Sequence, residues 1–287
     1  MRIDVERGQE VAKILLSTNS NEMPEDLLPT GVERGSREHL MFITLTVSLD
    51  YRRDATALWR SSRETFEDQT TRYLFNPEKL SETLPEQITE DMQRYGLARG
   101  ERDASVWRTI GITFHEKWNN DPRNFLKSCN YDAPTILNQL QVRENRHLLY
   151  PCLRGPKIGP LWIRMLRDNV GAKLSNMDQI PIPVDVHIER ATLATGVVRG
   201  QYNGNPNHLF EDIRRAWFKS VRELTLNGRP VIALDLDKSL WNLSKNGCSQ
   251  HRNPETGECE VYETCKFRDY CVRGRIIFNN GEAEVNT

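Results

Sequence analysis

The sequence predicts an all-α protein, on three observations. Apolar residues recur at helical spacing in most segments, as in Val106, Trp107, Ile110, Phe114 and Trp118. Proline and Asx residues stand where helices should begin, and glycine where they should end. The one clearly alternating stretch, Thr44-Leu45-Thr46-Val47-Ser48-Leu49, finds no partner strands elsewhere, so His39–Leu49 is expected to be a buried helix.

Taken in order, Asp4 caps a first helix to Leu16, with Val5, Val11, Ile14 and Leu15 on one face. Residues 17–36, rich in Asn, Pro, Gly and charge, read as a loop. After His39–Leu49, a helix runs from Arg53 to Phe66 on Ala55, Leu58, Trp59 and Phe66. Asn76-Pro77 opens a short helix, and Pro85–Tyr95 forms another ended by Gly96. Asp103–Trp118 is stopped by Asn-Asn-Asp-Pro, and Thr135–Leu140 follows. Next comes LRGPKIGPLWIRML, where Gly155 and Gly159 bracket a tight turn and Pro160 suits the first turn of a helix. Helices over Pro206–Asn227 and Pro230–Leu243 complete the set, and residues 272–287 read as a frayed tail.

The chain has 287 residues, enough for a full core in one or two domains. No run of about 18 apolar residues occurs, which argues against a membrane span. The start, MRIDVERGQEVAK, lacks an apolar leader, so an intracellular protein is expected, cytoplasmic or nucleoid-associated. The 39 basic and 40 acidic residues give a net charge of −1, which does not advertise nucleic-acid binding. Four of the six cysteines fall between residues 248 and 271, a clustering that favours metal over disulfides in a reducing compartment. Cys129 and Cys152 read as buried thiols.

Two features carry chemistry. A turn such as 153–160 leaves backbone N–H groups at a helix start available to an anion. Downstream, Asp185 sits in VDVHIER just where a helix should begin, and it suits a helix N-cap equally well. L-x-G-x-x-x-G-P, a helix, a Pro-containing link and V-D-V-H-I-x-R together resemble the helix-hairpin-helix DNA glycosylases of the endonuclease III superfamily. Their pattern runs L-P-G-V-G-[KSY]-x-T-A, then V-D-T-H-[VI]-x-R, with a four-cysteine [4Fe–4S] loop beyond. The apolar SLWNLSKNGC is similar to that family's helix leading into the first cysteine. The resemblance covers roughly residues 38 to 275.

That resemblance implies a two-lobed helix-hairpin-helix glycosylase fold with a C-terminal cysteine loop: residues 38–178 as a six-helix domain, and 1–37 plus 179–287 as the second. It implies a monomer acting on double-stranded DNA, which extrudes a damaged, mismatched or modified base and hydrolyses its N-glycosidic bond. Asp185 becomes the catalytic carboxylate, desolvated by Val184, Val186 and Ile188, and both roles, cap and catalyst, can hold. Gly155, Lys157 and Gly159 become DNA contacts, Lys157 to phosphate. The nucleophilic lysine of bifunctional members is missing, because Leu161 or Gly159 occupies its place, so base removal without strand cleavage is expected. A lyase using Lys157 and a non-catalytic DNA-binding protein are the alternatives. Where the family often has a glutamine after L-S-x, this chain has VSLDYRRDA; Tyr51 can wedge into the duplex, or residues 50–54 can simply cap a helix.

The cysteines are spaced Cys248-x10-Cys259-x5-Cys265-x5-Cys271, against C-x6-C-x2-C-x5-C in the family. Only the last interval agrees. Four thiolates suffice for a cubane cluster or a zinc ion; no C-x2-4-C knuckle occurs, and [4Fe–4S] is favoured over zinc mostly because the resemblance places a cluster at this position in the chain. His251 is a candidate substitute ligand, while Lys266, Arg268, Arg273 and Arg275 are expected to face the DNA backbone.

Overall fold

The computed structural model describes residues 1–18, 22–251, 259–272, 275–279 and 282–287. The described residues are mostly helical, with a few small strands. The chain divides into two compact units: Met1–Asn21 with Ile180–Thr287 (unit I), and Glu22–Gln179 (unit II). Residues 22–37 thus go with the middle of the chain, not with its two outer parts. Among the described residues no helix is long and apolar enough to cross a membrane.

The chain starts in unit I with β1 (Arg2–Ile3) and α1 (Val5–Ser17), whose N-cap is Asp4 accepting from the Arg7 N–H. Unit II holds α2 (Arg37–Ser48), α3 (Ala55–Glu67), α4 (Pro77–Glu82), α5 (Pro85–Gln93), α6 (Glu101–Trp118), α7 (Pro122–Ser128) and α8 (Ala133–Gln139). A small hairpin of β2 (Arg143–Glu144) and β3 (His147–Leu148) follows, then α9 (Ile158–Met165), which widens into a π-helical turn over Leu166–Val170. Unit I resumes with α10 (Val186–Ala194), β4 (Val198–Arg199), β5 (Gln201–Gly204), α11 (Pro206–Val221), β6 (Thr225–Leu226), β7 (Arg229–Pro230) and α12 (Asp237–Asn242). A second π-helical turn, Leu243–Cys248, leads into the cysteine segment, and β8 (Arg275–Asn279) and β9 (Glu282–Asn286) close the chain.

His39–Leu49 is a buried helix, as expected: every residue from His39 to Ser48 of α2 is buried. Around it stack Phe42, Trp59, Phe66, Phe75 and Trp107, with ring centroids 5.0–5.9 Å apart along the chain of contacts. In unit II the buried indoles of Trp107 and Trp162 donate to the Leu74 carbonyl and the Thr44 hydroxyl. The Unit I core is aliphatic, with Val11 and Leu15 of α1 meeting Ile188 of α10 and Leu209, Ile213 and Trp217 of α11.

Three expectations fail. The helix expected over Pro230–Leu243 is reduced to α12, because Pro230 belongs to the β6–β7 hairpin and Ala233–Leu236 forms a 3-10 turn. The tail does not fray over its described strands: β8 and β9 pair antiparallel, and β9 also pairs with β5, so that Ala283 and Val285 are buried. Buried and exposed residues alternate along β9, as suits a half-buried strand. The helix expected over Pro206–Asn227 stops at Val221, and the Asn227-Gly228 turn, with both residues at positive φ, folds its remainder into the β6–β7 hairpin.

Gly196 ends α10's connection to β4 at φ 67°, and an added Cβ would lie 2.6 Å from Val272 Cγ2. Gly196→Ala therefore meets both backbone strain and a clash. It should cost about 1–3 kcal/mol of unit I stability in urea denaturation.

Candidate functional site

The glycine turn is a packed corner. The Gly155 N–H donates to the Cys152 carbonyl, and the Gly159 N–H to the Gly155 carbonyl. A Cβ on Gly159 would lie 2.9 Å from the Leu153 carbonyl oxygen and 3.0 Å from Leu137 Cδ2, so glycine is required by close approach. Pro160 is the third helical residue of α9, not the first. With the Gly159 N–H bonded and Pro160 lacking one, neither position presents a donor to an anion. The β2–β3 hairpin stands between α8 and α9, so these two helices are not joined directly by the turn.

Lys157 does not extend from this turn. Its Nζ donates to the Asp50 carbonyl at 2.9 Å and to Asp50 Oδ1 at 3.3 Å. Arg99 bonds the next two carbonyls, Nη2 to Tyr51 at 3.3 Å and Nη1 to Arg52 at 3.1 Å. Three successive carbonyls of the α2–α3 connection are thus each held by a cationic side chain. Arg53 ties the same connection to the Gly96 and Leu97 carbonyls. The result is a fixed loop with Tyr51 45% exposed and the Arg52 guanidinium over its ring at 5.3 Å. Asp50 is itself buried and ion-paired. Sequence reasoning found Tyr51 but missed Arg99, whose only signal is its place just before α6.

If Lys157 is a strut, Lys157→Met should destabilise unit II by about 1–3 kcal/mol, since it leaves Asp50 buried without its donor. Binding of any duplex should keep its salt slope. A slope lowered by about one would make Lys157 a phosphate contact instead.

In unit I, Asp185 is the N-cap of α10. Its Oδ1 accepts from the His187 and Ile188 N–H groups, each at 2.8 Å. Both bonds use one oxygen, and Oδ2 accepts none among the described residues. The link before it is anchored by buried Ile182 and Val184. Ile188 is buried too, but Val186 is 39% exposed, so the apolar enclosure expected from three neighbours comes from two. His187 faces Ser244 through Nδ1 at 3.3 Å and packs against Trp241, which ties α10 to the turn leading into Cys248.

The far end of the cysteine segment returns to the same helix. The Val272 N–H donates to the Ala194 carbonyl at 2.7 Å, and Arg7 Nη1 bridges the Thr195 and Tyr270 carbonyls. Phe267 is buried in the unit I core, with Cys265 and Tyr270 packed against it. The residues flanking the segment therefore meet α10 at its first turn and at its last.

Cys248 is exposed as a residue, yet its thiol is pushed up to about 11, first by desolvation and then by the charges of Cys265, Cys271 and Cys259. The other three thiols therefore lie near enough to act on Cys248. Among the described residues, however, no three His, Cys, Asp or Glu side chains are grouped so as to hold a metal ion. The His251 carbonyl accepts from the Glu260 N–H. Lys266 and Arg268 lie within the segment, with Arg268 beside Glu263. Arg275 opens β8, and Arg273 lies outside the described residues.

One group was missed by sequence reasoning altogether. Glu189, the variable position of VDVHIER, is 1% exposed on α10, and its Oε1 is enclosed without a hydrogen-bond partner. Burial, opposed by Arg190 and reinforced by Asp185, pushes its carboxyl up to about 9. Its signal was spacing alone: four residues after Asp185, on the face that carries Thr192 and Leu193.

No protein-family model matches the chain, and no curated protein matches it either.

Proposed function

We propose that the chain is a monofunctional DNA N-glycosylase of the helix-hairpin-helix type, with Asp185 as its catalytic carboxylate. The observation that carries this reading is the state of Asp185: one oxygen is fixed by two backbone N–H groups, and the other is left for chemistry. A carboxylate so held is oriented without losing its second acceptor. In the reaction the C–N bond breaks with its electron pair leaving on the base, and positive charge grows on the sugar. Oδ2 stabilises that charge and takes a proton from the water that adds to the sugar carbon. The displaced proton ends on the free base, so that water is divided between the two products.

The clamped Tyr51–Arg52 loop supports double-stranded DNA as the partner. An exposed aromatic side chain on a fixed loop can fill the gap an extruded base leaves, with Arg52 toward the backbone. The Lys157 ammonium is engaged by Asp50, and a protonated, bonded amine is not a nucleophile, which favours base removal without strand cleavage. The test is a panel of duplexes carrying damaged, mismatched and modified bases, each incubated and then treated with alkali. Breaks that need alkali are expected on at least one duplex. Breaks without alkali would make the protein a lyase, and none at all would leave DNA binding only.

Cys248, Cys259, Cys265 and Cys271 are proposed to hold a [4Fe–4S] cluster, supported by the effect of the other three thiols on Cys248 and by the anchoring of the segment's flanks on α10. Such a cluster would hold the segment together beside α10. Purified protein should then carry about four iron and four acid-labile sulfide per chain. Cys265→Ser should lose both and lower the thermal midpoint of unit I. Protein that contains zinc, or no metal, would remove the cluster from the proposal.

A further inference from the structure

α10 carries a second carboxyl that the proposed reaction does not use. The Glu189 N–H donates to the Asp185 carbonyl at 2.9 Å, closing the first turn of the helix. Residues four apart share a helix face, and helical side chains lean toward the N-terminus, so the Glu189 side chain is directed back over the Asp185 turn. There it is 1% exposed, with Oε1 enclosed and unpartnered. Two charges act on it: Arg190 favours its ionisation and Asp185 opposes it. On the elements packed against α10, Arg199 of β4 is bonded to Asp4 and Arg214 of α11 to Glu211. The remaining charged residues on α12 and the following turn are Asp237, Lys238 and Lys245.

Asp185 has what Glu189 lacks, namely two backbone donors and a half-open surface. The surroundings therefore keep the proton on Glu189. An ionised carboxylate in Glu189's place would have no partner and would have to reach water. Its own backbone N–H closes the turn that seats Asp185.

We propose that Glu189 is a positioning residue that this fold accepts only as the neutral acid, so that its ionisation opens the first turn of α10 and unseats Asp185. This rests on the reading of Asp185 as the excision carboxylate and adds an alkaline limit to it. A buried acid whose midpoint is raised stabilises the fold fully below the ordinary glutamate range, and that stability is lost as pH rises toward about 9.

The experiment compares wild type with Glu189→Gln from about pH 6 to 10 by amide hydrogen exchange at His187 and Ile188, each referred to its unstructured rate. Base release on the best duplex of the panel is followed in parallel, each protein normalised to its own rate at pH 7. In wild type, protection of the two amides should fall by about tenfold per pH unit from pH 6 toward about 9 and level off beyond it, with base release declining as pH approaches 9. In Glu189→Gln both should stay level. The thermal midpoint of Glu189→Gln should also rise relative to wild type as pH increases. Superimposable exchange profiles would overturn the inference. Should Glu189→Gln not fold, Glu189→Leu serves as a second uncharged variant, and direct titration of the Glu189 carboxyl resonance in wild type decides the matter, an ordinary glutamate value counting against the proposal. Should no duplex be cleaved, the glycosylase reading fails, while hydrogen exchange still decides whether Glu189 ionisation opens the turn.

Discussion

Asp185→Asn is expected to abolish base release while leaving the protein folded. The amide oxygen of asparagine can still accept from the His187 and Ile188 N–H groups, which Asp185 Oδ1 now holds at 2.8 Å. Asparagine caps helices about as well as aspartate, so α10 should keep its first turn. What disappears is the negative charge beside the sugar, and a single preorganised group of this kind contributes about 10²–10³-fold or more to rate. Single-turnover release on the best duplex measures the loss, with circular dichroism as the folding control. Release within about tenfold of wild type would take Asp185 out of the mechanism. Asp185→Ala separates the two roles, because it should lose the charge and also about 0.5–2 kcal/mol of cap.

The second large effect is structural. Arg164 of α9 and Glu25 are both almost wholly buried and form a hydrogen-bonded ion pair at 2.6 Å. Asn169, in the π-helical turn after α9, accepts from Arg164 and donates to the Glu25 carbonyl and to Asp26. The widened turn is what brings Asn169 round to this network. Arg164→Met strips Glu25 of its counter-charge and should cost about 3–5 kcal/mol in urea denaturation of unit II. Arg164→Met combined with Glu25→Leu should recover most of that loss, since two apolar groups leave no stranded charge. A double variant no better than the single would mean that shape, not charge, dominates here.

How much of this was legible in the sequence differs by element. The α2 segment alternates Thr and Leu like a strand, but its hydroxyls are satisfied without a ladder. Thr44 donates to the Leu40 carbonyl, Ser48 to that of Leu45, and Thr46 meets the Ser62 hydroxyl. Polar residues that bond within their own helix do not mark a wet face. The β5–β9–β8 sheet was invisible for another reason. β5 is remote from β8 and β9 in the chain, and no local pattern names so distant a partner. Asp185 was legible as a cap and a candidate because a motif surrounds it. Glu189 was not, since burial of a lone carboxyl is a tertiary fact. The cysteines could be counted, but their attachment to both ends of α10 could not.

The division of the chain has a consequence for its synthesis. Unit I is built from Met1–Asn21 and Ile180–Thr287, and α1 packs against α11. A ribosome releases Ser17 about 200 residues before Val221, so at roughly 5–20 residues per second α1 waits on the order of 10–40 s for its partner. Unit II can fold in that interval, because Glu22–Gln179 is continuous. Throughout it, Val11, Ala12 and Leu15, each at most 1% exposed in the finished protein, stand unburied on the nascent chain. The helix that opens the chain is therefore the last part of the early sequence to find its place, and chaperone demand should concentrate on it.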